Sequence, residues 1–220
     1  MRVTEPLFFV LSACVSRPAA GPVKAWDSQL LPNQAKLSRE LWSRAIRPGD
    51  TVIDATCGRG KDTLTLAEMT GTAGMVVAVD LQPSAIKQSK DYVEKNLSPE
   101  KRPTMLWVNE SHERFPNAIQ AESVSAIVYN LGYLPGDDSD KTIVTKSEST
   151  MRSLQAGLEL LRRGGLITVT AYIKQEGGPE EEAAVLDMAS NLDPKLWTVK
   201  YVQWINRELA PSIIAIEKKI

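Results

Sequence analysis

Histidine and cysteine are almost missing from this 220-residue chain: His112 is its one histidine, and Cys14 and Cys57 are its two cysteines. With no C-x-x-C and no clustered histidines, the sequence offers neither a metal-binding pattern nor a disulfide framework. A thiol at Cys57, inside a glycine-rich turn, fits a reducing compartment. Net charge is missing too, since 26 basic residues face 27 acidic ones and leave −1. No overall basic field draws in nucleic acid, so such a partner would have to be held by a local patch. No apolar run reaches the roughly 18 residues of a membrane-spanning helix. Two phosphate-binding signatures are incomplete. A dinucleotide fingerprint would need glycine where Thr63 stands, and Gly60-Lys61-Asp62 lacks the hydroxyl residue of a P-loop.

What remains is an ordinary globular composition, 43% apolar and 24% charged. A chain of this length buries about 70% of the surface its unfolded form exposes. Residues 1–32 read as an arm, and 33–220 as one domain. Pro6 to Val15 is apolar, but one arginine before it and a poor cleavage site argue against a secretory signal. The sparse acidic residues before Asp27 suit a chloroplast or mitochondrial targeting segment. A disordered or loosely docked arm on a cytoplasmic protein suits the same residues.

The spacing of apolar residues predicts a helix over Asn33 to Ile46, then a strand at Thr51-Val52-Ile53 and a helix from Asp62 to Thr70. A strand at Met75 to Val79 precedes a helix over Ser84 to Asn96, with Ser84 as its N-cap. Strands follow at Thr104 to Val108 and Val124 to Tyr129. A helix over Ser149 to Leu161 is expected to close on Arg162-Arg163-Gly164-Gly165, with glycine in the left-handed position. Leu166 to Tyr172 is a strand and Glu180 to Leu192 a helix. Trp197 to Ile205 and Ser212 to Glu217 form a final strand pair. Strands alternating with helices, closed by that pair, give an α/β fold: a mostly parallel seven-stranded sheet with a C-terminal antiparallel hairpin.

The most informative stretch is Asp50 to Thr63, DTVIDATCGRGKDT. A strand ending in an acidic residue and then G-x-G brings a carboxylate and backbone N–H groups to the sheet's carboxyl edge, where open α/β sheets bind ligands. The second strand ends in Asp80, able to take both hydroxyls of a ribose. Together they describe a pocket for an adenosine-containing cofactor. The order of parts resembles the class I methyltransferases, which have a Rossmann-like sheet with helices on both faces and use S-adenosylmethionine. After the fourth strand comes Asn130-Leu131-Gly132-Tyr133-Leu134-Pro135-Gly136. An ordinary turn would use the same residue types. It is also similar to the loop with which amino-methyltransferases hold a target nitrogen.

DATCGRGKDT, Ser111-His112, NLGYLPG with Asp140-Lys141 and Thr145, Ser149-Thr150, and the closing Ile205-Asn206-Arg207, Ala210-Pro211 and Ile214 to Lys218 resemble one family, from about Gln34 to Lys219. It is labelled putative rRNA methylase and includes the tRNA 5-aminomethyl-2-thiouridine methyltransferases. The resemblance implies methyl transfer from S-adenosylmethionine to the primary amine of a modified wobble uridine in the tRNA anticodon loop. It implies a cofactor site at Asp54, Thr56, Gly58, Gly60, Asp62, Thr63, Asp80, Gln82, Ser111, His112 and Asn130. His112 is equally at home as a hydrogen-bonded structural histidine. Asn130 and Tyr133 would serve the transfer; Gly132, Tyr133, Pro135, Lys141, Lys146 and Arg207 would meet the substrate. Lys36, Arg39, Arg44, Arg47 and Lys174 could share the same rim. Tyr133, Asp137, Asp138 and Glu176 are the candidates for relaying the amine's proton. One departure stands out: where the family continues into Gly-His-Pro-x-Gly, this chain reads Lys174-Gln175-Glu176-Gly177-Gly178. Alternative readings are methylation of rRNA or of a small-molecule amine, or cofactor binding without turnover. A homodimer is compatible with all of them.

Overall fold

In the computed structural model, which describes residues 31–132 and 145–220, β-branched runs pair into one sheet. Its strands are β1 (Thr51–Asp54), β2 (Met75–Val79), β3 (Thr104–Val108), β4 (Val124–Asn130), β5 (Leu161–Ala171), β6 (Trp197–Val202) and β7 (Ser212–Lys218). The order across the sheet is β3-β2-β1-β4-β5-β7-β6. Pairings among β1 to β5 are parallel, while β7 runs antiparallel to both β5 and β6. The expected parallel sheet with its terminal hairpin is therefore the observed one. The connection inside that hairpin, 203–211, is longer than the short turn the sequence suggested.

The helices are α1 (Gln34–Ala45), α2 (Lys61–Thr70), α3 (Pro83–Asn96), α4 (Ser147–Leu160) and α5 (Gly178–Ser190). Alternation along the strands divides the core between the two sheet faces. Val52, Val76, Ala126 and Val128 pack with Trp42 and Ile46 at α1 and Leu66 and Ala67 of α2. Ile53, Val77, Ile127 and Tyr129 pack with Leu154 of α4 and Val185 and Ala189 of α5. Each fully buried aliphatic side chain contributes about 1.5–3 kcal/mol. Asn33 caps α1 by accepting the Lys36 N–H at 2.9 Å, and the buried Trp42 indole donates to Thr168 Oγ1 at 2.8 Å, fixing α1 on β5. Among the described residues, no helix is long and apolar enough to cross a membrane.

Most element boundaries shift by a few residues from expectation, β6 ending at Val202 rather than Ile205, and two of the differences have a clear physical cause. Pro83 takes the first helical position of α3, where its fixed φ is pre-set, and extended Gln82 is the cap, so Ser84 lies inside the helix. The run Arg162 to Gly165 does not close α4. Leu161 is already extended and paired with Val124, and Gly164, at φ +69°, lies where the β4–β5 register shifts. The strand takes these residues because Arg162 is tied elsewhere: its guanidinium donates to the Ala45 carbonyl at 3.0 Å and pairs with Asp50 at 3.1 Å.

The order of strands reverses between β1 and β4, and that switch point is where such sheets open a crevice. Asp54 ends β1, Asp80 follows β2, and Asn130 ends β4. All three arrive at one edge.

Candidate active site

The turn after β1 is built around Asp54. Its carboxylate, buried, accepts the Thr63 hydroxyl at 2.6 Å and the Thr56 N–H at 3.3 Å. Burial pushes its pKa up from 3.8 to about 7; the Thr63 and Thr56 bonds oppose the shift, and the charges of Asp62 and Asp80 add to it. Gly60, at φ +80°, closes the turn against α3, where an added Cβ would stand 2.7 Å from the Ser89 Cα. Backbone cannot yield there, so this position requires glycine on both counts. Asp54, Gly60 and Thr63, expected at the cofactor, are buried and shape the turn from behind.

The remaining residues expected at the cofactor open onto a cavity of about 1480 Å³. Thr56, Gly58, Asp62, Asp80, Gln82, Ser111, His112 and Asn130 all line it, as do Gly132, Lys146 and Lys174. Asp80 anchors the far side of the turn: one oxygen accepts the Gly58 N–H and the other the Gln82 N–H, each at 3.0 Å. A carboxylate has about four lone-pair sites, so ribose hydroxyls can still be accepted. Leu81, more than half exposed, presents an apolar surface beside it that the core does not use. His112 is buried, 3.4 Å from the Thr150 hydroxyl and edge-on to Tyr129, and burial lowers its pKa toward the neutral ring.

Asn130 is held at both ends. Its backbone N–H donates to Thr56 Oγ1 at 2.7 Å, and its side-chain Nδ2 donates to Asp62 Oδ2 at 2.6 Å. Beyond it Gly132 stands at φ +118°, at the start of the loop similar to one that holds a target nitrogen, the acceptor loop by that expected role. A Cβ at Gly132 would overlap the side-chain amide of Gln175, the residue standing where the family's histidine is missing. Tyr133, Pro135, Lys141, Asp137 and Asp138 lie outside the described residues. Arg207 is exposed in the β6–β7 connection, whose Leu209 reaches the cavity.

Sequence reasoning gave no role to Glu181, Thr145 and Thr150. The Glu181 carboxylate, buried in α5, accepts the Thr145 hydroxyl at 2.7 Å and the Thr150 hydroxyl at 2.6 Å. Thr145 in turn accepts the Gly132 N–H at 2.7 Å and gives its own N–H to the Gly132 carbonyl at 3.0 Å. The two ends of the acceptor loop are thereby joined. Tyr172 and Glu176 also line the cavity; Tyr172's pKa is raised by burial and by Asp62.

Comparison with known proteins agrees with this geometry. The family model described as "Putative rRNA methylase" matches residues 76–218, and a methyltransferase-domain model matches 46–100. The chain belongs to the rRNA methylase family. It is 34% identical over 190 residues to the chloroplastic tRNA (mnm(5)s(2)U34)-methyltransferase of Arabidopsis thaliana, a match covering 84% of this chain and 69% of that protein. The crystal structure of a Clostridium thermocellum protein described as a "putative rRNA-methylase" superposes with a TM-score of 0.78 at 34% identity, over 86% of this chain and 98% of that one. A Streptococcus mutans methyltransferase solved in complex with SAH gives 0.74 at 27% identity, over 86% and 99%. The fold is thus the class I methyltransferase fold, as the family's sheet order requires. The donor set fits that family's cofactor, S-adenosylmethionine. Asp80 suits a ribose, Leu81 and the His112 side suit an adenine, and the cavity exceeds the roughly 300–1,000 Å³ usual for one small ligand.

Proposed function

We propose that this methyltransferase acts on tRNA, methylating the aminomethyl nitrogen of 5-aminomethyl-2-thiouridine at the wobble position. One observation carries the reading: Asp80 and Asn130 line the same cavity, so a cofactor held at Asp80 and an amine held at Asn130 would share one space. The Arabidopsis relative, by its name a tRNA (mnm(5)s(2)U34)-methyltransferase, supports the choice of RNA. Its chloroplastic label likewise supports reading residues 1–32 as an organelle-targeting arm.

Asp80, Gln82, Thr56 and Gly58 hold the cofactor, with Ser111 and His112 at the adenine. S-adenosylmethionine supplies, when bound, a methyl carbon on a sulfonium whose departing sulfur becomes a neutral thioether. The chain's task is the amine. An alkyl ammonium has a pKa near 10.4 and, while charged, no lone pair. The Asn130 side-chain oxygen accepts an amine hydrogen and turns the nitrogen's lone pair toward the methyl carbon, and such positioning lowers the barrier by several kcal/mol. The nitrogen must therefore shed a proton before the N–C bond can form. Of the candidates to receive it, Glu176 lines the cavity, and Tyr133, Asp137 and Asp138 belong to the loop outside the described residues. Tyr133 is the aromatic residue of that loop chosen to stack on a splayed-out base, as aromatic rings do with single-stranded RNA.

Nucleoside mass spectrometry of tRNA from cells with and without the gene tests the reading. The expected result is loss of one methyl from the wobble nucleoside when the gene is absent. The family description favours one alternative, rRNA. An unchanged tRNA nucleoside with an under-methylated rRNA would replace the proposal with that reading.

A further inference from the structure

We infer that Asp62 is a positioning residue for the acceptor asparagine, setting which end of the Asn130 amide meets the substrate amine. This rests on the acceptor role proposed for Asn130. The two ends of an amide have the same shape and opposite hydrogen-bonding sense. A carboxylate only accepts, so the 2.6 Å contact between Asp62 Oδ2 and the Asn130 side chain must be made by the Asn130 NH₂ group. The amide oxygen is then the end left for a ligand. Arg39 of α1 reinforces the arrangement, with its guanidinium 3.6 Å from the other Asp62 oxygen. A charged acceptor makes a hydrogen bond roughly twice as strong as a neutral one.

The consequence is chemical. With oxygen forward, Asn130 accepts an N–H and leaves the amine's lone pair pointing at the methyl carbon. With the amide turned over, its NH₂ would donate to that lone pair and occupy the electrons that must form the new bond. A single rotation thus separates an orienting group from a quenching one. Asp62 excludes the second state. It sits in the first turn of α2, directly after the glycine turn, so the element that shapes the cofactor site also fixes the acceptor.

The test uses Asp62→Asn, Asn130→Asp and the double variant on the full-length enzyme. In Asp62→Asn the new amide turns its oxygen toward Arg39 and its NH₂ toward Asn130, which rotates. The expected result is a fall of at least about tenfold in kcat with undermodified tRNA, larger than the accompanying change in calorimetric affinity for S-adenosylhomocysteine. Asn130→Asp sets two carboxylates against each other and is expected to be inactive. The double variant restores one donor and one acceptor in the reverse order, with an oxygen again forward, and is expected to recover kcat to within about tenfold of wild type. Rescue by exchange is something a merely structural role would not produce. Full kcat in Asp62→Asn overturns the inference, as does a folded, cofactor-binding double variant no better than Asp62→Asn. If the wild type methylates no tRNA, the substrate reading fails by itself. The inference is then judged by NMR of the SAH complex. A strongly deshielded Asn130 side-chain amide proton, lost in Asp62→Asn, supports it, and its absence from the wild type overturns it.

Discussion

Asp54 gives the turn behind the site a pH dependence of its own. It is buried under the glycine turn between two threonine partners, and no described cation pairs with it. Desolvation raises its pKa from 3.8 to about 7, so between those values the folded chain holds a proton that the unfolded chain has lost. Stability from this group is complete below the unfolded pKa, falls as pH rises through about 7, and is flat beyond. The swing is at most roughly 4 kcal/mol. Asp80 and Glu181, also raised by burial, act in the same direction, and His112, lowered by burial, acts in the opposite one. Comparing urea unfolding of wild type and Asp54→Asn isolates the single group. From about pH 5 to about pH 8 the wild type should lose stability relative to the variant. Parallel curves would mean that Asp54 is ionised in the fold throughout. At the neighbouring Gly60, Gly60→Ala should cost a few kcal/mol in stability, since both φ and the Ser89 backbone oppose it. Calorimetry with S-adenosylhomocysteine should show the binding lost with it.

At the scale of single elements, α5 explains what the sequence concealed. Glu180, Glu181 and Glu182 look like one solvated acidic face at a helix start. Yet Glu181 stands four residues before Val185 and eight before Ala189, on the stripe that the helix buries. A carboxylate on an apolar stripe was the available signal, and the charged neighbours on either side masked it. Its partners lie on other segments, Thr145 at the end of the acceptor loop and Thr150 in α4, and a pairing so distant in the chain leaves no spacing to read. The same holds for Arg162, whose bond to the end of α1 draws a presumed helix cap into β5. Elements with strong local periodicity, such as α1 and β2, were legible; boundaries decided by long-range partners were not. Thr145→Val probes the network directly. It removes the acceptor of the Gly132 N–H and the donor to Glu181 while keeping a β-branched shape. Stability should fall by about 1–3 kcal/mol. KM for the acceptor RNA should rise with S-adenosylhomocysteine affinity unchanged, because Asp80, proposed to hold the cofactor, makes no bond to this network. Equal losses of both affinities would assign the network to general folding instead.

For the molecule as a whole, the sheet order made the cofactor edge legible, because acidic ends of β1 and β2 and the asparagine end of β4 can meet only at the switch point. Where RNA would lie was less legible, since a solvated lysine and a phosphate-binding lysine look alike in sequence. With net charge −1, long-range attraction contributes little, and affinity has to come from cations at the mouth. Of the basic residues singled out, Lys146 and Lys174 line the cavity from two different connections, and both are exposed. Arg59 and Lys61, on the glycine turn, join them. If Lys146 and Lys174 each neutralise a phosphate of a single-stranded loop, each adds about 0.7 to the slope of log affinity against log salt. The variant Lys146→Ala with Lys174→Ala should therefore bind tRNA more weakly at low salt and show a slope shallower by about 1.4 units. Its kcat at saturating RNA should stay near wild type, because neither ammonium group is asked to touch the reacting nitrogen. Fluorescence anisotropy across a salt series measures the slope. An unchanged slope with unchanged affinity would move the RNA path away from these lysines, toward the β6–β7 connection that carries Arg207 and Leu209.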